Sequence, residues 1–497
     1  MTASSSVSPS AAAEEPERPA SAAPPGAALP IILAGVFMPA LDFFITNVAI
    51  PSMQQSLHAG PAAIQFFIAA YGLTYAAGMI SGGRLGDLFG RRRIYCIGMA
   101  AFTVFSLLCA LSQTSGELIG ARALQGFAAA LMTPQVMGMI NTMFDGPGRI
   151  RAYQAYGVAG GLAGAFGQLI GGGLISLDVA HLGWRTIFLI NVPIGLIALT
   201  ATPRLLPESY GERGRRLDLP GVLLIGAAMA AMVLPPTVGR EERWPVWAWT
   251  SLAVAVPLLA LFARYQAALG RREGGSPLID VAMLRNRTFA AGVAMTAVQF
   301  LTMGAFWLLQ AIYLQQGRGF SPIGAGIEAL VVGIGFFLSA GAAPKLAEQL
   351  GGRVLAVGGV TLAVGYGLIA LATAHVGVGG TVAWLYPGML LAGFGMGLVV
   401  APLSSMTLAT VGPRNAAAAA GVLSTSQEVG AAFGVTFVGL VFFRLVGPAE
   451  SLGSFPAAIE WSLALLAVFA LGVAALSRLM PQGPAPAAAE AASNALA

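Results

Sequence analysis

Residues 84–92 read RLGDLFGRR, and residues 345–353 read KLAEQLGGR. The two stretches align at an offset of 261, which sets Leu85 on Leu346, Asp87 on Glu348, Gly90 on Gly351 and Arg92 on Arg353. Each is a short charged segment between two long apolar runs. In a chain of 497 residues, a repeat at this distance makes the second half a copy of the first. In each half the charged segment joins the second apolar run to the third.

The apolar runs on either side fix the solvent. Hydrophobic residues make up 57% of the chain and charged residues 9%, against about 25% charged in soluble proteins. Lipid must face much of this surface. A membrane-crossing helix needs about 20 mostly apolar residues, and fourteen such runs can be counted, near 28–50, 62–82, 94–113, 117–142, 152–176, 185–203, 219–237, 246–266, 288–314, 321–343, 352–373, 382–408, 416–443 and 459–480. Their length and continuous apolar character predict helices, not barrel strands. The 65 glycines fit close helix packing in lipid. The predicted fold is an all-α membrane protein of two six-helix bundles, with spans 7 and 8 inserted between them as an extra pair. The corresponding division is a tail at 1–27, a bundle at 28–203, the extra pair with its connectors at 204–286, a second bundle at 287–480 and a tail at 481–497. Parallel repeats with a binding site between them are a transporter plan.

An even number of spans puts both ends of the chain on one side, and the positive-inside rule says which. Arg84 and Arg91–Arg93 follow span 2, Arg149 and Arg151 span 4, and Arg204, Arg213, Arg215 and Arg216 span 6. Arg264, Arg271, Arg272, Arg285 and Arg287 follow span 8, Lys345 and Arg353 span 10, and Arg414 span 12. Only Arg185, Arg240, Arg243, Arg318 and Arg444 fall on the other face. Both tails and the even-numbered loops are therefore expected in the cytoplasm. The net charge of +5 is accounted for by these loops and implies no nucleic-acid partner. Cys96 and Cys109 lie about 20 Å apart on one helix, too far to bridge. His58, His181 and His375 are scattered over three loops, so no metal or His-based catalytic cluster is expected, and no enzyme activity. No GxxxxGK[ST] phosphate loop occurs, so ATP does not drive this chain directly.

Four stretches carry a resemblance. They are LDFFITNVAIP at 41–51, GGRLGDLFGRRR at 82–93, ARALQGFAAA at 121–130, and AGAFGQLIGG at 163–172, with WRTIFLINVPIG at 184–195 in support. The chain resembles the fourteen-span drug:proton antiporter branch of the major facilitator superfamily over nearly all of 28–480. In the fourth stretch the family has Pro after the glycine, whereas here Gly167 is followed by Gln168. That departure leaves proton-coupled uptake open beside export. The resemblance implies a proton-coupled exporter of small amphipathic compounds, cations among them, in a bacterial cytoplasmic membrane. Protons would be the coupling ion, with no other cofactor. The bilayer and a small-molecule substrate would be the partners, with no obligate protein partner. A dedicated metabolite or lipid exporter is the narrower alternative. A receptor would need an output domain, which is not visible.

The residues themselves define the candidates. Asp42 lies inside span 1, where an ionised carboxylate costs several kcal/mol unless paired. It either carries a proton or stays a permanent structural partner, and Thr46 one turn on could help solvate it. Arg122 in span 4 needs a counter-charge, and Asp42 is the best one in that half. Alternatively Arg122 snorkels to the interface. Glu328 in span 10 and Glu428 in span 13 are two further membrane acids, either proton carriers or structural hydrogen-bonding groups, and Glu328 is near enough to the outer end to meet water. A gating role falls to Asp87, Gly90, Arg91 and Arg92, with Glu348 and Arg353 as the second copy. Span 9 carries Gln299, Met303, Phe306 and Gln310 at helical spacing, with Trp307 beside them. That stripe reads as a substrate pocket or as helix packing, with Phe43, Phe44, Gln125 and Gln427 as further pocket candidates.

Overall fold

The computed structural model describes residues 25–211, 218–238, 244–272, 275, 277–278, 281–411, 416–447 and 452–482. The outer parts of both predicted tails, and Arg213, Arg215, Arg216, Arg240, Arg243 and Arg414, lie outside the described residues. So do parts of the two connectors around the extra helix pair.

Fourteen long helices follow one another: α1 (Pro25–Leu57), α2 (Pro61–Phe89), α3 (Arg91–Leu111), α4 (Ser115–Met143), α5 (Gly146–Leu177), α6 (Gly183–Leu205), α7 (Leu219–Val238), α8 (Val246–Gly270), α9 (Arg287–Ile312), α10 (Pro322–Leu350), α11 (Arg353–Val376), α12 (Tyr386–Ala409), α13 (Ala416–Val446) and α14 (Phe455–Leu476). Twelve are long and apolar enough to cross a membrane, and α5 makes a thirteenth if its two segments, bent by 43°, form one span. The predicted seventh span, α7, holds only a shorter apolar helix at Leu219–Pro235. Among the described residues the count of full-length spans thus comes close to the expected fourteen, with α7 as the short one. The helix itself continues through Pro235 and Pro236 to Val238.

Helix starts follow local chemistry. Thr114 and Glu117 form a reciprocal capping box at α4, and Ser321 accepts from the Gly324 N–H at α10. In lipid no hydrophobic gain draws helices together, so close approach comes from small side chains. Gly82 and Gly126 press α2 and α4 backbone to backbone, where even a methyl group would collide.

The two halves pack alike. In the first, α2 packs on α4, α3 on α4, α1 on α5 and α3 on α6; in the second, α10 packs on α12, α11 on α12, α9 on α13 and α11 on α14. The bundles meet along two seams, α5 with α10 and α2 with α13, which exchange under the same two-fold relation. The extra pair α7–α8 breaks that symmetry. α7 lies against α2 and α13 through Ala69, Val233 and Ala432, and so covers one seam.

Along the other seam the contact loosens toward the Arg-rich loops. Gly172 of α5 is pressed on the backbone of Pro322 and Ile323. Gly161, on the same face of α5, would bring a methyl group only to 3.8 Å from Phe337, and Gly157 one turn further meets nothing within 4 Å. The bundles are thus closed at the end of the loop between α9 and α10 and diverge toward the Arg-rich loops.

Candidate functional site

Inside the first bundle, five helices bring one polar cluster together. Asp42 of α1 and Arg122 of α4 are both fully buried and form an ion pair through Arg122 Nη1 and Asp42 Oδ2. The remaining valences are largely filled. Arg122 Nε donates to the Phe67 carbonyl of α2 at 2.9 Å, and Nη1 also donates to Gln125 Oε1 at 2.7 Å. Gln125 Nε2 donates to Asp42 Oδ1 at 2.8 Å and to Ser106 Oγ of α3 at 2.8 Å. Asn191 Nδ2 of α6 donates to the same Asp42 oxygen at 3.1 Å and to Ser106 Oγ at 3.2 Å. The guanidinium lies 4.2 Å from the Tyr71 ring centroid, a cation–π contact in a water-poor site. Arg122 Nη2 alone among its nitrogens has no hydrogen-bond partner. The snorkelling alternative for Arg122 is therefore excluded by burial. The expected help from Thr46 is also corrected. Its hydroxyl donates to the Asp42 backbone carbonyl at 2.6 Å, as helical Ser and Thr commonly do, and leaves the carboxylate to the amides.

A second cluster sits at the α2–α3 turn. Gly90 turns the chain at φ +100°, a conformation suited to glycine. Asp87 pairs with Arg91 one turn on, at 2.9 Å, and Arg91 Nη1 donates to the Gly138 carbonyl of α4 at 3.1 Å. The chain leaving α6 folds across this turn. The Arg91 N–H donates to the Ser209 carbonyl at 2.8 Å, and the Gly211 N–H to the Asp87 carbonyl at 3.0 Å. Glu208 accepts from the Arg92 N–H at 2.9 Å, with the Arg92 guanidinium 3.7 Å away. The repeat copy shares the backbone contact, the Gly352 N–H donating to the Pro481 carbonyl of the chain leaving α14 at 2.6 Å, but not the charged ones. Glu348 and Arg353 are exposed, with no ion pair among the described residues.

Residues 32–435 match the Major Facilitator Superfamily. The chain belongs to that family. Among its relatives, a probable actinorhodin transporter of Streptomyces coelicolor is 36% identical over 85% of this chain and 73% of its own length. The puromycin resistance protein of Streptomyces alboniger is 33% identical over 83% of this chain and 81% of its own. The cephamycin export protein of Amycolatopsis lactamdurans is 33% identical over 91% and 92%. The fold recurs in a crystal structure of a POT family transporter, with a TM-score of 0.65 at 16% identity over 90% of this chain and 95% of that one. It recurs again in a bacterial homologue of the human lysosomal transporter Spinster, with a TM-score of 0.64 at 17% identity over 92% and 97%.

Within this major facilitator fold the other predicted residues fall into three places. Gln125 belongs to the buried ion-pair cluster and does not border the space between bundles. Phe43, Phe44, Met303, Phe306 and Trp307 join one apolar cluster spanning both bundles. There Phe44 of α1 meets Trp307 of α9 edge-on at 5.9 Å, and Phe306 lies 5.3 Å from Tyr366. Gln299 and Gln310 are buried with both amide atoms unpaired, and the Trp307 indole N–H is unpaired too. Gln310 lines a cavity of about 30 Å³ inside the second bundle, with Phe306, Tyr313, Ile369 and Met389. Glu328 is buried, not water-exposed, and accepts from the Tyr386 hydroxyl at 3.3 Å. Glu428 is half-buried beside Gln427 and has no hydrogen bond or ion pair among the described residues. Its carboxylate lies against Gly72 of α2, where an added methyl group would come within 4.0 Å.

The glycine stripe of α5 also resolves. Gly164, Gly167 and Gly171 seat Phe44, Ile45 and Val48 of α1, whereas Gly160 faces open space. Sequence reasoning missed Asn191, Ser106 and Glu208. Asn191 carried a signal, as an amide within the apolar stretch TIFLINVPIG. Ser106 and Glu208 carried none, since a small hydroxyl in a helix and an acid in a loop are both common.

Proposed function

We propose that this chain is a proton-coupled exporter of small amphipathic compounds. It works by alternating access in the cytoplasmic membrane of a bacterium, with both termini on the cytoplasmic side. The observation that carries the reading is the buried Asp42–Arg122 pair inside a major facilitator bundle. An Arg keeps its charge at all relevant pH, so proton uptake by Asp42 turns a neutral pair into a buried cation. That change costs free energy unless the surroundings rearrange. A proton at Asp42 therefore biases the first bundle toward another packing, and a neutral carboxyl no longer holds Gln125 and Asn191 as an anion does.

Glu428 is the second half of the reading. An unpartnered carboxylate at membrane depth is tolerated where it borders a water-filled cleft. It sits at the α2–α13 seam, which must change when the bundles rock. Substrate and proton that favour opposite states at this seam are coupled reciprocally. The charged α2–α3 turn serves as the cytoplasmic latch, with Asp87, Gly90, Arg91, Arg92 and Glu208 as its parts. The relatives' names, which refer to export and resistance, support export over uptake. Several of those names refer to single compounds, and this favours a dedicated exporter of one metabolite as the second reading.

The test is efflux of ethidium and other fluorescent cations from a pump-deficient bacterium. Wild type, Asp42→Asn and Glu428→Gln are compared with and without a protonophore. Loss of efflux with the protonophore and with either variant supports the reading. If no cation moves although the protein reaches the membrane, the multidrug form of the reading fails and the dedicated exporter takes its place.

A further inference from the structure

The end at which the bundles are closed is held by neutral amides. α9 finishes in a π-helical turn, Tyr313–Gly317, followed by Arg318 and Gly319. A π-turn inserts an extra residue and rotates the side chains beyond it off the helical stripe. Here it turns Gln315 and Gln316 away from their own bundle. Gln315 Nε2 donates to the Val48 carbonyl of α1 at 2.7 Å, and Gln316 Nε2 to Gln54 Oε1 of α1 at 2.6 Å. The receiving side has its own local cause. Pro51 inside α1 lacks an N–H, which leaves the Asn47 carbonyl without its helical donor, and Val48 is the next residue. A third bond, from the Ile323 N–H of α10 to Ser176 Oγ of α5 at 3.3 Å, closes the neighbouring seam. The adjacent Arg318 stays within its own bundle: it donates to the Tyr313 hydroxyl at 3.2 Å, to the Gly377 carbonyl at 3.1 Å and to the Gly380 carbonyl.

We infer that Gln315 and Gln316 form the lock of the far gate, opposite the Arg-rich loops. Each transport cycle must break it to release substrate on that side. The inference rests on the alternating-access reading but not on which substrate is carried. The two gates then differ in kind. The Arg-rich latch is built of charges and weakens with salt, whereas the far lock is built of amide–carbonyl and amide–amide bonds and does not. Each such bond is individually modest, so two bias the gate toward closure yet remain breakable within a cycle.

The experiment reads the position of the gate directly, without substrate. The full chain is prepared with Cys96→Ser; Cys109 is fully buried and stays. One reporter is Ala325→Cys, at a buried position of α10 near the far end, and the other is Gly157→Cys, at the open part of the α5 seam. Labelling by a membrane-impermeant maleimide is measured in nanodiscs with and without Gln315→Ala/Gln316→Ala. The expected result is labelling at 325 raised about tenfold and labelling at 157 lowered. Unchanged labelling, or a rise at both positions from general loosening, overturns the inference. In a second form, Gln54→Cys and Gln316→Cys are joined by a short reducible bifunctional reagent. The crosslinked chain should leave the 325 reporter protected under all conditions, and reduction should restore exchange. A crosslinked chain that still exposes 325 overturns it as well. Absence of transport of any tested compound would count against the exporter reading alone, since neither readout uses one.

Discussion

At the scale of the residue, Arg122 shows how a buried charge is made tolerable and useful at once. Its guanidinium reaches a carboxylate, an amide oxygen and a backbone carbonyl, and lies on the Tyr71 ring. Removing one partner of such a pair costs about 3–5 kcal/mol, whereas replacing both by apolar groups can be nearly neutral. Asp42→Asn and Arg122→Ala are therefore expected to lower the unfolding temperature of the purified protein. The double variant Asp42→Leu/Arg122→Met is expected to recover much of that stability while remaining inactive. Thermal unfolding beside proton-driven transport checks this, and a double variant as unstable as the singles would show that the pair is a structural strut. Asn191 acts on the same carboxylate from α6. A hydrogen bond to a charged group contributes about 1.5–3 kcal/mol, so Asn191→Leu is expected to lower the turnover of proton-driven transport about tenfold with little change in KM. An equal effect on KM would place Asn191 in substrate binding instead.

At the scale of the element, the α2–α3 turn shows why a motif needs its surroundings. Gly90 supplies the positive φ, and a side chain there would also run into the Glu208 carboxylate. Gly90→Ala is expected to destabilise the turn by about 1–2 kcal/mol from the backbone alone, with unfolding temperature as the measure. Glu208→Gln removes only the charge that faces Arg92. It is expected to make the latch less sensitive to salt, read as a flatter dependence of Gly157→Cys labelling on ionic strength. The second copy at Lys345–Arg353 also meets the chain that leaves the last helix of its bundle, the Gly352 N–H donating to the Pro481 carbonyl at 2.6 Å, but among the described residues it gains no acid to match Glu208, and Glu348 and Arg353 remain exposed. Sequence alignment marks the two turns as equals. Glu208, on the segment of chain leaving α6, makes them unequal.

At the scale of the molecule, the extra pair α7–α8 converts two equivalent seams into a covered one and an open one. Asp218 joins the pair, accepting from the Tyr265 hydroxyl at 2.8 Å, from Gln266 Nε2 at 2.6 Å and from the Gly221 N–H at 2.9 Å. Gln266 in turn accepts from the Leu278 N–H at 2.6 Å, and Arg84 of α2 donates to the neighbouring Pro277 carbonyl. Asp218→Ala is expected to loosen the pair and its connector while leaving the bundles folded. Faster protease nicking within 267–286, at an unchanged main unfolding temperature, is the result to look for. A lowered main transition would show that the pair is integral to the bundles.

The sequence by itself determined the solvent, the helical class and the two-fold plan, because lipid leaves long apolar helices as the economical solution and the repeat is written in matching letters. It also pointed to Asp42 as the best counter-charge for Arg122 in that half, with a snorkelling arginine as the alternative that burial then removed. Only the tertiary structure decided what completes the pair. Asn191 and Ser106 come from helices far apart in the chain, and their short polar side chains are ambiguous until packing aims them. Only the tertiary structure could set Glu328 on Tyr386 and leave Glu428 unpartnered at a seam, since both glutamates sit in similar apolar runs. The amide lock of the far gate was equally illegible, because Gln315 and Gln316 are turned toward α1 by a π-turn that has no letter of its own.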